Sequence, residues 1–162
     1  HLVHHDTQQL NHLIILRNHE KQKARTGWIN AEKNCRALEG SLLRLEERVL
    51  ELADELRRAN ALFNKACQHT FSVREVLPLL KDISRLQGLV AQLDEQRRTK
   101  RSRLDLAIEQ SLKLNLRLQH ANTVLNSLQN DLDDAHRKKI DQRRHLEDED
   151  LEMSRSHKNR TQ

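Results

Sequence analysis

The chain reads as all-α, built from long coiled-coil helices, and three observations point there. Apolar side chains recur in alternating steps of three and four from Val3 to Leu80. Glycine and proline number only 3 and 1 in 162 residues, and charged residues make up 33% of the chain against 36% hydrophobic. Alternating steps of this kind hold one narrow stripe on one side of a helix, and a stripe that narrow is buried only against another helix with a similar seam. Ordinary globular domains run at about 45–50% apolar and about 25% charged residues. This chain therefore has too little bulky apolar material for a thick core and enough for a thin helical seam.

The first helix is expected over 1–68. Its seam reads Val3, Thr7, Leu10, Ile14, Arg17, Lys21, Ala24, Trp28, Ala31, Cys35, Leu38, Leu42, Leu45, Val49, Leu52, Leu56, Ala59, Phe63, Ala66, Thr70, Val73, Leu77 and Leu80, with only Thr7, Arg17, Lys21 and Thr70 interrupting it. From Leu38 to Leu56 every seam position is Leu or Val. The weakest stretch is Arg17 to Gly27, where two cations sit on the seam and a glycine lowers local helicity by about 1 kcal/mol relative to Ala; fraying or a kink is expected there.

Between His69 and Pro78 the signals change together, and residues 69–78 read as a turn or hinge. Ser72 followed by Glu75 has the spacing of a capping box. Pro78 lacks the helical N–H and biases Leu77 away from helical angles, so a helix start is expected somewhere between Ser72 and Pro78. The seam also slips by one residue, since Leu80 leads to Ile83, and it then runs Leu86, Val90, Leu93, Arg97, Lys100, Leu104, Ala107, Ser111, Leu114, Leu118, Ala121, Leu125, Leu128, Leu132, Ala135. A phase break beside the only proline argues for two helices, the second over 79–146, followed by a polar charged tail over 147–162. The pair forms either an antiparallel hairpin or a hinged rod, and a short connection favours the hairpin. Fully helical and extended, the chain would span ~240 Å at ~1.5 Å per residue.

The net charge is +5, with 29 basic and 24 acidic residues interleaved as on the solvated faces of coiled coils. The densest basic stretch is Arg97, Arg98, Lys100, Arg101 and Arg103. It reads first as a solvated basic face, and as an alternative contact to phosphates, an acidic lipid surface or an acidic protein lattice. Cys35 and Cys67 fit a reducing compartment better than a disulfide scaffold, and a seam thiol acts as a small hydrophobe. No stretch approaches the ~20 consecutive apolar residues of a membrane span, and no secretory leader is visible.

Of the ten histidines, His1, His4, His5 and His12 form the densest group. His1 and His5 have a spacing that can hold a metal on one helical face, but exposed surface histidines are the expected reading and no metal or cofactor is predicted. His5, His12 and His19, seven apart, read as a polar stripe beside the seam. Cys67 and His69 evoke a nucleophile and base but lack a third orienting group and a pocket. There is no phosphate-cradling glycine loop and no nucleophile elbow, so neither an enzyme nor a small-molecule substrate is expected. Trp28 is a wide seam knob or an anchor in a partner's pocket. Phe63 and Phe71 would plug the end of the bundle beside the turn, whose marked residues are Cys67, His69, Ser72 and Pro78.

Ile108-Glu109-Gln110, then Asn115, Arg117 and Gln119, then Asp131-Leu132, Lys138 and Ile140-Asp141 resemble the late part of a tektin half-rod. Upstream, Cys67, His69 and Leu79-Leu80-Lys81-Asp82 are similar to the tektin inter-helix turn, and Trp28 ahead of the Leu-rich helix matches in placement. The likeness spans about 115 residues, Trp28 to Asp141. Two departures stand out: the loop after Cys67 is shorter than the family's, and the signature Arg-Pro-Asn-Val-Glu-Leu-Cys-Arg-Asp is absent. The resemblance implies a filament-forming cytoskeletal protein of ciliary or flagellar doublet microtubules, associated with other coiled-coil chains and bound along tubulin. Under it, Cys67 and His69 would mark the turn and Arg97 to Arg103 a contact to the tubulin lattice. The expected function is thus a non-enzymatic structural coiled coil; the alternatives are a cytoplasmic adaptor or tether joining two protein partners, or a helical dimer binding membranes or nucleic acid through Arg97 to Arg103.

Overall fold

The computed structural model describes residues 2–69 and 72–161, with side chains described from Thr7 onward. Among these residues there are two α-helices and no strand: α1 is Leu2–His69, of 68 residues, and α2 is Val73–Arg160, of 88 residues. The fold is an all-α two-helix hairpin. Thr70, Phe71 and the candidate pair His1 and His5 fall outside the described backbone or side chains, as do the side chains of Val3 and His4.

The hairpin begins its return at Ser72, whose backbone carbonyl accepts the N–H groups of Glu75 and Val76, both at 3.1 Å. The bond to Val76 spans four residues, the first true helical bond, which makes Ser72 the residue capping α2. The second helix therefore starts at Val73, within the Ser72–Pro78 interval marked by the capping signals but ahead of the expected helix bound at 79, and Pro78 lies inside it. This corrects the expected 69–78 turn. Proline's fixed φ is already helical, but Pro78 is the sixth residue of α2, beyond the first turn, so it both lacks the N–H and crowds the carbonyl four residues back. Here the surrender falls on the carbonyl of Arg74, an exposed residue, while burial of Val76 at 5% and Ile83 at 7% exposure holds the first turns on α1.

The phase of the seam is corrected at the same place. Val73, Leu77 and Leu80 do not prolong the first seam; they are 67%, 47% and 43% exposed. The stripe of α2 instead begins at Val76 and passes through Leu79 and Ile83. A helix restarted after a turn takes its rotation from what it packs on, not from the register of the helix before it. The second helix, expected to end at 146, continues to Arg160, so the polar charged tail is itself helical, with every described residue from 140 on exposed.

Two compact units are present, residues 1–28 with 114–162, and residues 29–113. In the second, Glu32 meets Ser111, Ser41 meets Lys100, and Glu46 meets Arg101. The core clusters give the direction: Cys35 and Leu42 pack with Leu104 and Ala107, and further along α1 Leu52 and Ala59 pack with Ile83 and Leu86, so the helices run antiparallel. The core of this unit has two clusters. Leu52, Ala59, Ile83 and Leu86 form one, flanked by Leu56, Phe63, Leu89, Val90 and Leu93. Cys35, Leu42, Leu104 and Ala107 form the other, flanked by Leu38. Phe63 thus belongs to the seam itself.

In the first unit Thr7 and Leu125 are buried, and Leu10, Ile14, Ala24, Trp28, Leu114, Leu118, Ala121, Leu128, Leu132 and Ala135 are half-buried. Helical structure is continuous through Arg17 to Gly27, where fraying or a kink is expected. Arg17 leaves the seam, exposed, to donate to Glu20 at 3.0 Å. At Gly27 an added Cβ would meet only Leu114 Cδ2, at 4.0 Å, so the glycine lies at ordinary packing distance from α2. Tertiary contact compensates the glycine's low helix propensity.

Candidate interaction surface

The chemistry of a coiled coil is the chemistry of its seam and flanks. Numbering the seam positions of each helix a and d, the polar members stand out. Ser111, only 6% exposed, donates to Glu32 Oε1 at 3.1 Å, and Lys100 Nζ donates to Ser41 Oγ at 2.5 Å. Both bonds cross from α2 to α1, and polar cross-links within an apolar seam fix register where leucines alone would tolerate sliding.

The basic stretch is divided by this geometry. Arg97 and Lys100 are seam residues and half-buried. Arg97 binds Asp94 through Nε at 3.0 Å and Nη2 at 2.9 Å, and Arg98 binds the other oxygen of the same carboxylate at 3.1 Å. Arg101 reaches across to Glu46 at 3.8 Å. The five cations therefore do not form one outward patch; Arg98, Arg101 and Arg103 are the exposed ones. Nearby concavities are shallow and open. One of about 620 Å³ is lined by Ala91, Asp94, Glu95, Arg98, Thr99 and Ser102, successive turns of a single helix.

Cys35 lies in the seam. Burial pushes its thiol up from the ordinary value of 9.0, and the carboxylates of Glu32 and Glu39 push it further. A thiol held neutral is a poor nucleophile and metal ligand, consistent with the sequence reading of a small hydrophobe. Cys67 is exposed in the last turn of α1, and His69 is its final residue. Among the described residues no group of three or more His, Cys, Asp and Glu side chains could hold a metal. His12 and His19 are exposed on the side of α1 opposite the seam, two positions past d, and not beside it. Trp28 is a half-buried seam residue.

Comparison with protein-family models, curated proteins and solved structures finds no match to this chain. The surface must speak for itself.

Sequence periodicity missed a second apolar set. In the unit of residues 29–113, Ile29, Leu43 and Leu50 are 37%, 59% and 67% exposed, and on α2 so are Leu106, at 66%, and Leu112, at 59%. In the other unit Leu13, Ile15 and Leu16 stand out around Ile14 at 41%, 67% and 60%, which makes that turn apolar on every side. The signal was present: Ile15, Ile29, Leu43 and Leu50 each directly follow an a residue, at multiples of seven. A helix apolar beyond one stripe is built to be covered on more than one side. No described helix is long and apolar enough to cross a membrane.

Proposed function

We propose that this chain is a non-enzymatic structural coiled-coil protein, tektin-like, that lines and stiffens ciliary or flagellar doublet microtubules by packing side by side with other helical chains. The observation that carries the reading is the pairing of a satisfied inner seam with large exposed aliphatic side chains outside it. Leu52 and Leu86 are each 2% exposed, whereas Leu43, Leu50 and Leu112 remain more than half exposed. Such a hairpin has its own core and still offers apolar surface to neighbours. The tektin-like residues Ile108 to Asp141 and Cys67 to Asp82 direct the proposal to the doublet microtubule.

The tubulin contact assigned to the basic stretch rests on Arg98, Arg101 and Arg103, since Arg97 and Lys100 are engaged in the seam. Chemical cross-linking of isolated ciliary doublets, read by mass spectrometry, is the test. Links from lysines of this chain to tubulin and to other coiled-coil proteins are expected. Recovery of the chain wholly in the detergent-soluble fraction, linked to neither, would replace the proposal with a free adaptor joining other partners.

A further inference from the structure

The last six turns or so of α2 are the part of the molecule with the least company among the described residues. From Ile140 to Arg160 the helix is regular, and every described side chain is exposed. The stretch is ordered in blocks of charge. Arg137, Lys138, Lys139, Arg143 and Arg144 precede Glu147, Asp148, Glu149, Asp150 and Glu152, and Arg155, Lys158 and Arg160 follow. The seam line of α2 continues through it as Gln142, Leu146, Glu149 and Met153, with Leu146 at 60% and Met153 at 73% exposure. Within the helix the structure gives a contact between the His145 imidazole and Glu149, at 3.4 Å.

We infer that this segment pairs with the same segment of a second copy, antiparallel, about a twofold axis between Glu147 and Asp148. The heptad positions, with Leu146 and Met153 at a and Gln142 and Glu149 at d, select the arrangement. When a residues of one helix meet d residues of the other in opposite directions, the flanking e positions face each other, and so do the g positions. With Leu146 set against Glu149 of the second copy and Met153 against its Gln142, Arg143 at e falls opposite Asp150 at e. His145 at g falls opposite Glu152 at g. Twofold symmetry doubles each pair, so four complementary contacts flank the two Leu146 and two Met153 side chains.

Orientation follows from the same charges. A parallel, in-register pair would set His145 against Asp150 and Glu152 against His157, but it would bring Lys138 at g against Arg143 at the next e, twice, where like charges repel, and it would lose the Arg143–Asp150 pair. The antiparallel pair moves Lys138 opposite Asn159, and Glu147 and Asp148, at b and c, point away from the axis. Because the segment is exposed, the attraction is screened by salt. The occupant is thus another copy of this chain, chosen by charge pattern and held weakly.

Sedimentation equilibrium of the full 162-residue chain at low and high ionic strength tests this, with charge-exchange variants. The expected result is a dimer at low salt that dissociates as salt rises. Arg143→Glu alone and Asp150→Arg alone each weaken dimerisation, by about tenfold, because each reversal converts two symmetry-related attractions to repulsions. The double variant R143E/D150R restores it. Circular dichroism confirms equal helix content in all four proteins, and no residue of the buried seam is altered. A chain monomeric at every salt concentration overturns the inference, as does a dimer indifferent to the single reversals or a double variant no better than the singles. Cross-links to tubulin would be unaffected by such a failure, which keeps this result separate from the structural role proposed above.

Discussion

Replacing Leu86 by Ala measures how much of the hairpin's stability lies in its thin seam. Leu86 is 2% exposed and sits among Leu52, Ala59 and Ile83, with Leu56, Phe63, Leu89, Val90 and Leu93 around them. The change removes three carbons from a fully buried side chain, worth about 2.4 kcal/mol at about 0.8 kcal/mol per buried CH₂. A cavity term is added where the walls cannot close, and buried Leu→Ala changes span about 2.7–5 kcal/mol. A seam only two helices thick has walls open to solvent on both flanks, so they can relax. The expected loss is about 3 kcal/mol, at the low end of that range. Leu50→Ala is the control, because Leu50 is 67% exposed and its truncation should cost within about 0.5 kcal/mol in the isolated chain. Urea unfolding followed by circular dichroism at 222 nm reads both. A Leu86→Ala loss below about 1 kcal/mol, or a larger loss at Leu50 than at Leu86, would refute the assignment of inner and outer apolar sets.

Two other outcomes are expected. Gly88→Ala should stabilise the hairpin by about 0.8–1 kcal/mol, since Gly88 lies inside α2 and a Cβ there would meet nothing within 4 Å; thermal unfolding checks it. Cys35 has a folded-state pKa raised above 9.0, first by burial and then by Glu32 and Glu39, so the folded chain keeps a proton that the unfolded chain gives up. Its stabilising contribution is whole below pH 9.0 and is lost as pH rises toward and through the folded value. Urea midpoints at pH 7.5 and pH 10 should therefore diverge more for the native chain than for Cys35→Ala.

The seam was legible because a 3–4 repeat has one physical solution, and from Leu38 to Phe63 each residue it marks is buried or half-buried. What periodicity could not supply was rotation after an interruption. Val73, Leu77 and Leu80 match the spacing as well as Val76, Leu79 and Ile83 do, and only packing on α1 chose the second set. Pro78 misled for a related reason. Its local cost is real, but a helix opened at Ser72 and anchored by Val76 outweighs the missing N–H and the crowding of the Arg74 carbonyl. The basic stretch was visible as composition and not as a surface, because Arg97 and Lys100 turn inward to Asp94 and Ser41. The outer aliphatic residues were written in the sequence at intervals of seven, yet a stripe already explained by one partner hides a second.

The two cross-links of the unit 29–113 bear on length as well as stability. If α2 slid by one heptad one way, Lys100 would confront Arg48 in place of Ser41 while Ser111 met Glu39 in place of Glu32; the other way, Lys100 would meet Asn34 and Ser111 would meet Arg25, so in each direction at least one of the two positions faces a cation in place of its present partner. Leucine layers cannot tell one step from the next, whereas an ammonium beside a hydroxyl can. The hairpin therefore behaves as a ruler whose graduations are locked, and any neighbour that counts along it finds its marks in the same place on every copy.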